Sequence, residues 1–340
     1  MITAAIAVLA DGRDLSRDEA RAVMDAIMNG EATQAQIGGL LIGLRAKGET
    51  VEEITGFAEA MAAHVVPVTP SRAPLVDVVG TGGDGAGTFN ISTAAALVAA
   101  AAGAAVAKHG NRAASSACGS ADVLEQLGIP LEQTPERIAL SIDTHGFGFM
   151  FARAHHPAMR HAAPVRQELG ARTVFNVLGP LANPAGARDG IFGVYDATLA
   201  RTYAETLAGL GARRAFVVHG DGGLDELSPS GPSLVLEIVA GDIRESELDP
   251  RSLGIYPTPP EDLRGGDAQA NADAVVRVLA GERSGRRDAV VLNAAAAIVA
   301  AGLAEDLGEG VEVAAAAIDS GAAGATLERL VAFSNEEVPV

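Results

Sequence analysis

The sequence predicts an α/β protein, in which a large domain with a central sheet flanked by helices follows a small all-helical domain. From residue 75 onward, short apolar runs alternate with helical stretches, the pattern of a sheet with crossover helices. Residues 1–66 carry helical patterns only, and the proline-rich segment 67–74 separates the two regions. We therefore expect a helical domain over 1–70 and an α/β domain that begins at residue 71.

Helix starts in the first region are marked by capping boxes. In such a box a hydroxyl residue is followed three positions later by Glu or Gln, and the two side chains cap free backbone N–H groups. The three boxes are Ser16 with Glu19, Thr33 with Gln36, and Thr50 with Glu53. Apolar residues at helical spacing follow in 22–27 and 37–44, so these helices have one face to bury.

The α/β region is assigned from apolar runs, turn residues and helix-start signals. Residues 75–79 and 104–107 are predicted strands, each followed by a loop and a helix. Thr134 and Pro135 begin a helix, and Pro164 interrupts a helix predicted over 157–172. The other assignments are a long Gly- and Pro-rich connection at 176–188, strands at 190–195, 215–219, 233–240 and 242–247, and helices at 197–210, 287–302 and 310–332.

Composition limits the class of function. The chain has 340 residues, 4% aromatic residues and a mean hydropathy of +0.22, which predicts a large core packed mainly by small side chains. The net charge of −18 disfavours nucleic acid as a partner. An anionic substrate would need a divalent cation and local positive charge. Cys118 stands alone, which favours a reducing compartment and a structural role for its thiol.

Targeting signals are not evident in the sequence. The first 16 residues have no basic start and only a short apolar run, so they are not expected to act as a signal peptide. The apolar stretch 94–107 is too short to span a bilayer and is interpreted as a buried helix and strand.

The segment 76–128 carries the strongest functional signal. A strand meets the glycine-rich loop GTGGDGAGTFN before a helix, and a second strand ends in Lys108 before another small-residue loop and helix. Both units place backbone N–H groups at helix N-termini, where phosphate binds well, so a ligand with two phosphate groups is expected. Gly80, Gly82 and Gly85 match the dinucleotide fingerprint, but that interpretation requires an acid about 20 positions later. A lysine there favours phosphate over a ribose diol.

A second candidate site follows the predicted strand at 215–219. Asp225 and Glu226 are adjacent carboxylates on a glycine-rich loop, and such ligands suit Mg²⁺, which bridges to substrate phosphates. Ligands of open α/β sheets lie outside the carboxyl ends of the strands, so this loop and the phosphate loops are expected to share one crevice. The alternative is a solvated acidic turn, because the chain has 43 acidic residues.

Arg166 is a candidate for binding a carboxylate through its planar guanidinium. The alternative is a surface arginine paired with Glu168 on the same helix. The seven histidines lack the spacing of a metal site, and packing roles are expected for them. His109 is the exception, since the sequence places it in the second phosphate loop.

Four motifs resemble those of the anthranilate phosphoribosyltransferase family. They are GTGGDGAGTFNIST at 80–93, KHGNRAASSACGSADVLEQLG at 108–128, HPAMRHAAPVRQELGARTVFNVLGPLANP at 156–184 and VVHGDGGLDE at 217–226. The second and third motifs are the most specific, and the similarity runs through nearly the whole chain. A nucleoside phosphorylase and a non-catalytic nucleic-acid-binding relative of the same fold are the alternatives. The paired acids and Arg166 count against a nucleoside phosphorylase. The negative charge of the chain counts against a nucleic-acid-binding protein.

The resemblance implies a Mg²⁺-dependent transferase of tryptophan biosynthesis. Such an enzyme moves the 5-phosphoribosyl group from phosphoribosyl pyrophosphate to the amine of anthranilate, giving N-(5-phosphoribosyl)anthranilate and pyrophosphate. It has no evident general base, and Lys108 is expected to stabilise the leaving group. The implied positions that bind phosphoribosyl pyrophosphate are Gly80, Gly83, Asp84, Thr88, Asn90, Ile91, Ser92, Thr93, Lys108, His109, Gly110, Asn111, Arg112, Ala113, Ala114, Ser115, Ser116 and Ser120. The implied anthranilate contacts are Gly80, Asn111 and Arg166, and the implied ligands of two Mg²⁺ ions are Ser92, Asp225 and Glu226.

The family architecture implied for this chain is a small helical domain over 1–70 with an insert near 160–185. The α/β domain that binds phosphoribosyl pyrophosphate would then comprise 71–159 and 186–340. The resemblance also implies a cytoplasmic homodimer joined through the helical domain, with no nucleic-acid or membrane partner.

Overall fold

The computed structural model of the protein describes residues 1–113 and 117–336. The predicted site residues Ala114, Ser115 and Ser116 lie outside the described residues. The helices are α1 (Ile2–Ala10), α2 (Arg17–Met28), α3 (Gln34–Lys47), α4 (Val51–Ala63), α5 (Ile91–Ala101), α6 (Ser120–Gln126), α7 (Pro135–His145), α8 (Ala152–His155), α9 (Ala163–Leu169), α10 (Phe175–Leu181), α11 (Ala200–Gly209), α12 (Ala268–Leu279), α13 (Gly285–Ala300), α14 (Leu307–Asp319) and α15 (Ala322–Asn335). The strands are β1 (Leu75–Gly80), β2 (Ala105–Gly110), β3 (Phe147–Phe151), β4 (Asp189–Gly193), β5 (Arg214–His219), β6 (Ser233–Val239) and β7 (Asp242–Leu248).

The three predicted capping boxes are confirmed at the starts of α2, α3 and α4. Thr50 and Glu53 form the most connected of them. The Glu53 side chain is fully buried and accepts hydrogen bonds from the backbone N–H of Thr50 and of Leu15, each at 2.9 Å, and from Lys47 Nζ at 3.0 Å. A single carboxylate therefore ties the end of α3, the start of α4 and the segment before α2 together.

Seven strands form one sheet in the order β3-β2-β1-β4-β5-β6-β7. The first five strands in this order are parallel, and β6 and β7 complete the sheet as antiparallel strands. The chain moves from β1 outward through β2 and β3, then returns to place β4 on the other side of β1. Ligands of open α/β sheets bind outside the carboxyl ends of the strands at such a reversal. The ends of β1, β2 and β4 therefore mark the expected position of a site.

Strand residues alternate between two apolar layers, as the two-residue period of a β-strand requires. Val78, Ile191 and Val218 belong to the layer that includes α5, α12, α13 and α15. Phe192 and Val217 belong to the opposite layer, with α11 and the N-terminal helices. Both faces of the sheet are thus covered, as predicted for the α/β class.

Apolar residues of the 162–182 segment pack in the same layer as the N-terminal helices. Val165 of α9 and Phe175 and Leu178 of α10 join Leu40 of α3 and Phe57 of α4 in one buried cluster. The fold thus brings a late segment of the chain back to the helices at its start.

Four assignments made from sequence differ from the structure. The 176–188 connection contains a helix, α10, in spite of Pro180 inside it, because burial of its apolar residues outweighs weak propensity. Pro164 lies in the first turn of α9, where its missing N–H costs nothing, and a short 3₁₀ helix precedes it. The helix predicted over 310–332 is two helices, broken at Gly321, whose φ of +79° favours glycine. Strand β3 was not predicted.

No helix among the described residues has both the length and the apolar character needed to cross a membrane.

Candidate active site

The glycine-rich loop leaves the carboxyl end of β1 and leads into α5. Gly82, Gly83, Gly85 and Gly87 all have φ between +64° and +79°, a backbone conformation that other residues adopt only with strain. The loop closes on its far side where Thr88 pairs with Arg264. The backbone conformation of this loop therefore requires glycine at these four positions. Because glycine has no side chain, the peptide groups there are not covered.

Gly80 is required at the end of β1 by close packing. A Cβ built on this residue would overlap the Asp225 carboxylate, and one built on Gly193 at the end of β4 would overlap the Asp225 backbone. The 220–226 loop therefore fits directly against the ends of two neighbouring strands. The structure thus places the acidic loop in direct contact with the start of the first phosphate loop.

The two adjacent carboxylates reach different parts of the phosphate loop. Asp225 Oδ2 accepts a hydrogen bond from the backbone N–H of Gly82 at 2.6 Å, and Glu226 Oε1 accepts one from the backbone N–H of Ser92 at 3.0 Å. Asp225 is 9% exposed, so the alternative of a solvated acidic turn is wrong for these residues. Instead, the pair sits beneath the loop and the start of α5.

Negative charge is concentrated at this point. Burial, followed by the nearby charge of Asp84, raises the pKa of Asp225 to about 7. Burial, followed by the charges of Asp225 and Asp84, also raises the pKa of Glu226 well above its ordinary value. Three carboxylates this close repel one another, and a bound cation would relieve that repulsion.

The donor set fits Mg²⁺. The described residues contain no group of three or more His, Cys, Asp or Glu side chains arranged to hold a metal ion by themselves. The protein thus offers two carboxylates and the Ser92 hydroxyl, with few ligands of its own. Mg²⁺ is commonly bound by one or two carboxylates, with water and substrate phosphates supplying the other positions.

Lys108 lies under the phosphate loop instead of in the open crevice, which corrects its predicted orientation. Its side chain is 1% exposed, and Nζ donates to the backbone oxygen of Val78 at 2.6 Å and to Ser92 Oγ at 3.4 Å. Burial lowers the pKa of Lys108, while the charges of Asp77 and Glu226 oppose that effect. The ammonium group therefore contacts a predicted metal ligand from the sheet side.

His109 is part of strand β2 and is buried, so its predicted place in the phosphate loop is also wrong. Its ring lies 4.9 Å from the ring of His156, centroid to centroid, and its Nδ1 is 3.2 Å from the backbone oxygen of Gly179. Burial, followed by the charge of His156, lowers the pKa of His109 to about 3. The histidine is neutral at physiological pH and links β2 to α10.

The second predicted phosphate loop is held by an acid at the start of α6. Asp122 accepts hydrogen bonds from the backbone N–H groups of Ala113 and Gly119 at 3.0 and 2.9 Å. The Arg112 guanidinium is paired with Asp122 and Glu125, each at 2.8 Å. In this conformation the Arg112 charge is therefore engaged by carboxylates of its own segment.

The remaining residues predicted for this wall lie next to one another. Gly110 ends β2, and a Cβ there would overlap the Ser120 hydroxyl. Ser120 Oγ in turn donates to the backbone oxygen of Asn111 at 3.3 Å. The side chains of Ile91 and Thr93 are fully buried in α5, so only their backbone can face a ligand.

Arg166 lies on α9 with its guanidinium partly buried. Its Cζ is 5.2 Å from the centroid of the Phe175 ring, and burial lowers its pKa. Among the residues that the structure describes, Arg166 makes no ion pair with Glu168, so the alternative of a surface pair is not supported. A half-buried guanidinium without a carboxylate partner is a suitable receptor for an anionic ligand.

Several residues that sequence analysis missed hold the site in place. Asn271 on α12 donates from Nδ2 to Asn90 Oδ1 at 2.9 Å and accepts from the backbone N–H of Gly266 at 2.7 Å, which fixes the residue before α5. Buried Asp77 accepts hydrogen bonds from the backbone N–H of His109 at 3.3 Å and from Asn183 Nδ2 at 2.7 Å. A lone polar residue on an apolar face is the only sequence signal that either position offered.

Known proteins resemble this chain along nearly its whole length. Two glycosyl transferase family models match it, a helical bundle domain over residues 3–65 and an a/b domain over residues 72–324. Anthranilate phosphoribosyltransferase from Parvibaculum lavamentivorans is 54% identical, over 97% of this chain and 96% of that relative. The enzyme of that name from a Roseiflexus species is 55% identical, over 95% of each chain.

Solved structures of anthranilate phosphoribosyltransferases also resemble this chain along nearly its whole length. The crystal structure of anthranilate phosphoribosyltransferase from Thermus thermophilus has a TM-score of 0.93 and 49% identity, and covers 98% of this chain and 99% of its own. The enzyme of that name from Saccharomyces cerevisiae, in complex with phosphoribosyl pyrophosphate and Mg, has a TM-score of 0.90 and 28% identity, with 98% and 97% coverage.

Proposed function

We propose that the crevice beside β1 is an active site, since the chain belongs to the anthranilate phosphoribosyltransferase family. The activity of the protein is the Mg²⁺-dependent transfer of the 5-phosphoribosyl group from phosphoribosyl pyrophosphate to the amine of anthranilate. The observation that carries the assignment of the site is the meeting of two distant loops. Asp225 contacts the backbone of Gly82 in the glycine-rich loop, and Glu226 contacts the backbone of Ser92 in the first turn of α5.

In the proposed arrangement, phosphoribosyl pyrophosphate binds between the two phosphate loops. The glycines at 80–87 leave peptide groups bare, and α5 directs its N-terminus toward the same crevice. Asn90 is pre-oriented by Asn271, so less conformational freedom has to be lost on binding. The proposed binding residues are Gly80, Gly83, Asp84, Thr88, Asn90, Ile91, Ser92, Thr93, Gly110, Asn111, Arg112, Ala113, Ser120 and the residues 114–116, while buried Lys108 and His109 support the site from the sheet side.

Ser92, Asp225 and Glu226 would hold Mg²⁺, and we propose two ions. When bound, Mg²⁺ would neutralise negative charge on pyrophosphate as that group departs. The protein contributes Lys108, whose ammonium lies 3.4 Å from Ser92 Oγ and beside Glu226, so it stabilises the departing charge from below the loop. This role replaces the direct phosphate contact expected from sequence.

Arg166 would bind the carboxylate of anthranilate, with Gly80 and Asn111 as further contacts. A guanidinium receives a carboxylate in two parallel hydrogen bonds, which fixes the orientation of the ring as well as its position. Orientation matters because an aromatic amine is a weak nucleophile, so placing it in line with the anomeric carbon supplies much of the rate enhancement. No described residue is an evident general base, and solvent would take the proton.

The larger organisation is also proposed. Residues 1–70 with 160–185 would form a small helical domain, and 71–159 with 186–340 the α/β domain. The shared cluster of Leu40, Phe57, Val165 and Phe175 supports that division. A homodimer joined through the helical domain would cover Ile42, which is 43% exposed on α3. We propose a cytoplasmic location, consistent with the single cysteine.

The test of this proposal is an assay of anthranilate fluorescence with phosphoribosyl pyrophosphate and Mg²⁺, in which each component is left out in turn. Replacing Asp225 with Asn and Glu226 with Gln should greatly weaken Mg²⁺ activation, since the charge that holds the ion is lost. Asp221→Asn is the matched control, because Asp221 is an exposed acid of the same loop. If the double variant keeps the Mg²⁺ dependence of the wild type, the metal assignment is wrong.

A further inference from the structure

Arg172 links two parts of the molecule that the proposed reaction uses separately. It lies in the short segment between α9, which carries Arg166, and α10. Its Nη2 donates a hydrogen bond to the backbone oxygen of Gly83, a residue of the glycine-rich loop. Its Cζ lies 4.0 Å from the centroid of the Tyr195 ring, just beyond the end of β4. One side chain of the segment after α9 thus contacts the phosphate loop and the residue Tyr195 that follows β4.

Both ends of this contact are held in place. Thr173, the next residue, donates its backbone N–H to Asn176 Oδ1 at 2.9 Å, which anchors the segment to the start of α10. Tyr195 donates its backbone N–H to Thr81 Oγ1 at 3.2 Å, which anchors the stacking ring to the base of the glycine loop. The exposed guanidinium therefore bridges two points that are each held by a hydrogen bond of their own.

The glycine-rich loop has more backbone freedom than an ordinary loop, so a contact that fixes one of its peptide planes has a larger effect on it. Gly83 has a φ of +79°, and its carbonyl is the acceptor for Arg172. A Cβ at Gly83 would lie 3.4 Å from Nη2 of Arg172, which is van der Waals contact, so the guanidinium packs directly against this residue. Since the peptide group is planar and trans, a carbonyl turned toward Arg172 directs the N–H of Asp84 to the opposite side. Fixing one peptide plane therefore fixes the donor that follows it.

We propose that Arg172 is a positioning residue that couples the anthranilate-binding segment to the phosphoribosyl-pyrophosphate loop. It acts through Gly83 on one side and through the turn that connects it to Arg166 on the other. The inference rests on the roles proposed for these two residues. Loss of the guanidinium would leave the loop glycines free to move. Substrate binding would then have to order the loop, and the entropy lost in doing so would weaken binding.

Arg172→Met tests the proposal, because Met keeps an apolar stem and removes the donors and the charge. We expect kcat/KM for phosphoribosyl pyrophosphate to fall about tenfold to a hundredfold, as for a lost charge-assisted hydrogen bond. Arg172→Lys should recover part of the loss, and Tyr195→Leu should reproduce part of it without changing Arg172. In the double variant Arg172→Met/Tyr195→Leu, the loss of kcat/KM should be smaller than the sum of the two single losses, because both substitutions act through one guanidinium. Arg160→Met is the control, as Arg160 is an exposed arginine of the same insert.

Amide hydrogen exchange of residues 81–88 gives a measurement that does not depend on turnover. Exchange should rise in Arg172→Met and stay at the wild-type level in Arg160→Met. Wild-type kinetics in Arg172→Met, or a loss that Arg160→Met matches, would overturn the coupling role. An inactive wild type would contradict the proposed active site, whereas unchanged exchange in Arg172→Met would contradict this inference alone.

Discussion

The buried histidine pair predicts a specific loss of stability in acid. His156 is 8% exposed, and its ring lies 4.9 Å from that of His109 at a tilt of 40°. Burial, followed by the charge of His155, lowers the pKa of His156 to about 4. The ordinary value is 6.5, so between these values the unfolded chain binds a proton that the native protein does not. The folded state therefore loses stability as the pH falls from 6.5 to 4.

The magnitude follows from the two pKa values. A pKa difference of one corresponds to about 1.4 kcal/mol, and a fall from 6.5 to about 4 gives about 3 kcal/mol for His156 alone. Asp77 acts in the opposite sense. Burial raises its pKa to about 6, so the native state binds that proton first and gains stability as the pH falls through 6 toward 3.8. The wild type contains these two contributions and that of His109, whose pKa is lowered to about 3, so a variant is needed to isolate the contribution of His156.

His156→Gln removes the titrating group and leaves Asp77 in place, while His109 loses the charge of His156 but keeps the burial that is the main cause of its lowered pKa. Between pH 7 and pH 4 the wild type should lose about 3 kcal/mol more free energy of unfolding than the variant. Above pH 7 the two profiles should run parallel, whatever packing the substitution costs. The measurement is urea unfolding followed by far-ultraviolet circular dichroism, since the chain has no tryptophan. Parallel profiles down to pH 4 would refute the reasoning.

Three further outcomes are expected. Arg166→Ala should raise the KM for anthranilate about tenfold to a hundredfold and change the KM for phosphoribosyl pyrophosphate much less. Steady-state kinetics that show equal effects on both KM values would make Arg166 a structural residue. Lys108→Met should lower kcat/KM for phosphoribosyl pyrophosphate, and kcat as well if the contact strengthens in the transition state. Wild-type values of both parameters would remove Lys108 from the mechanism. Gly80→Ala should abolish activity and lower the thermal midpoint, because its Cβ overlaps the Asp225 carboxylate. Gly209→Ala, whose Cβ meets open space, should do neither, and an active Gly80→Ala variant would show that the loops do not fit as closely as described.

Local signals in the sequence predicted most of the elements. Capping boxes set the starts of α2, α3 and α4, because their hydrogen bonds join residues only three apart. The glycine-rich loop was predicted because positive φ angles restrict which residues can form it. Errors came where burial outweighed local propensity, as in α10 with its internal proline. Strand β3 was missed although its apolar run is as long as the run that predicted β1, because periodicity alone does not distinguish such a run from a buried helical segment.

Side-chain direction and long-range contact were decided by the tertiary structure. The sequence by itself determined that Lys108 follows an apolar run, that two acids are adjacent and that glycines separate a strand from a helix. It did not determine that Lys108 is buried beneath Ser92, or that Asp225 meets Gly82 across 143 positions of the chain. The physical reason is that periodicity specifies which face of an element is buried, whereas the packing of elements distant in sequence decides which atoms that face meets.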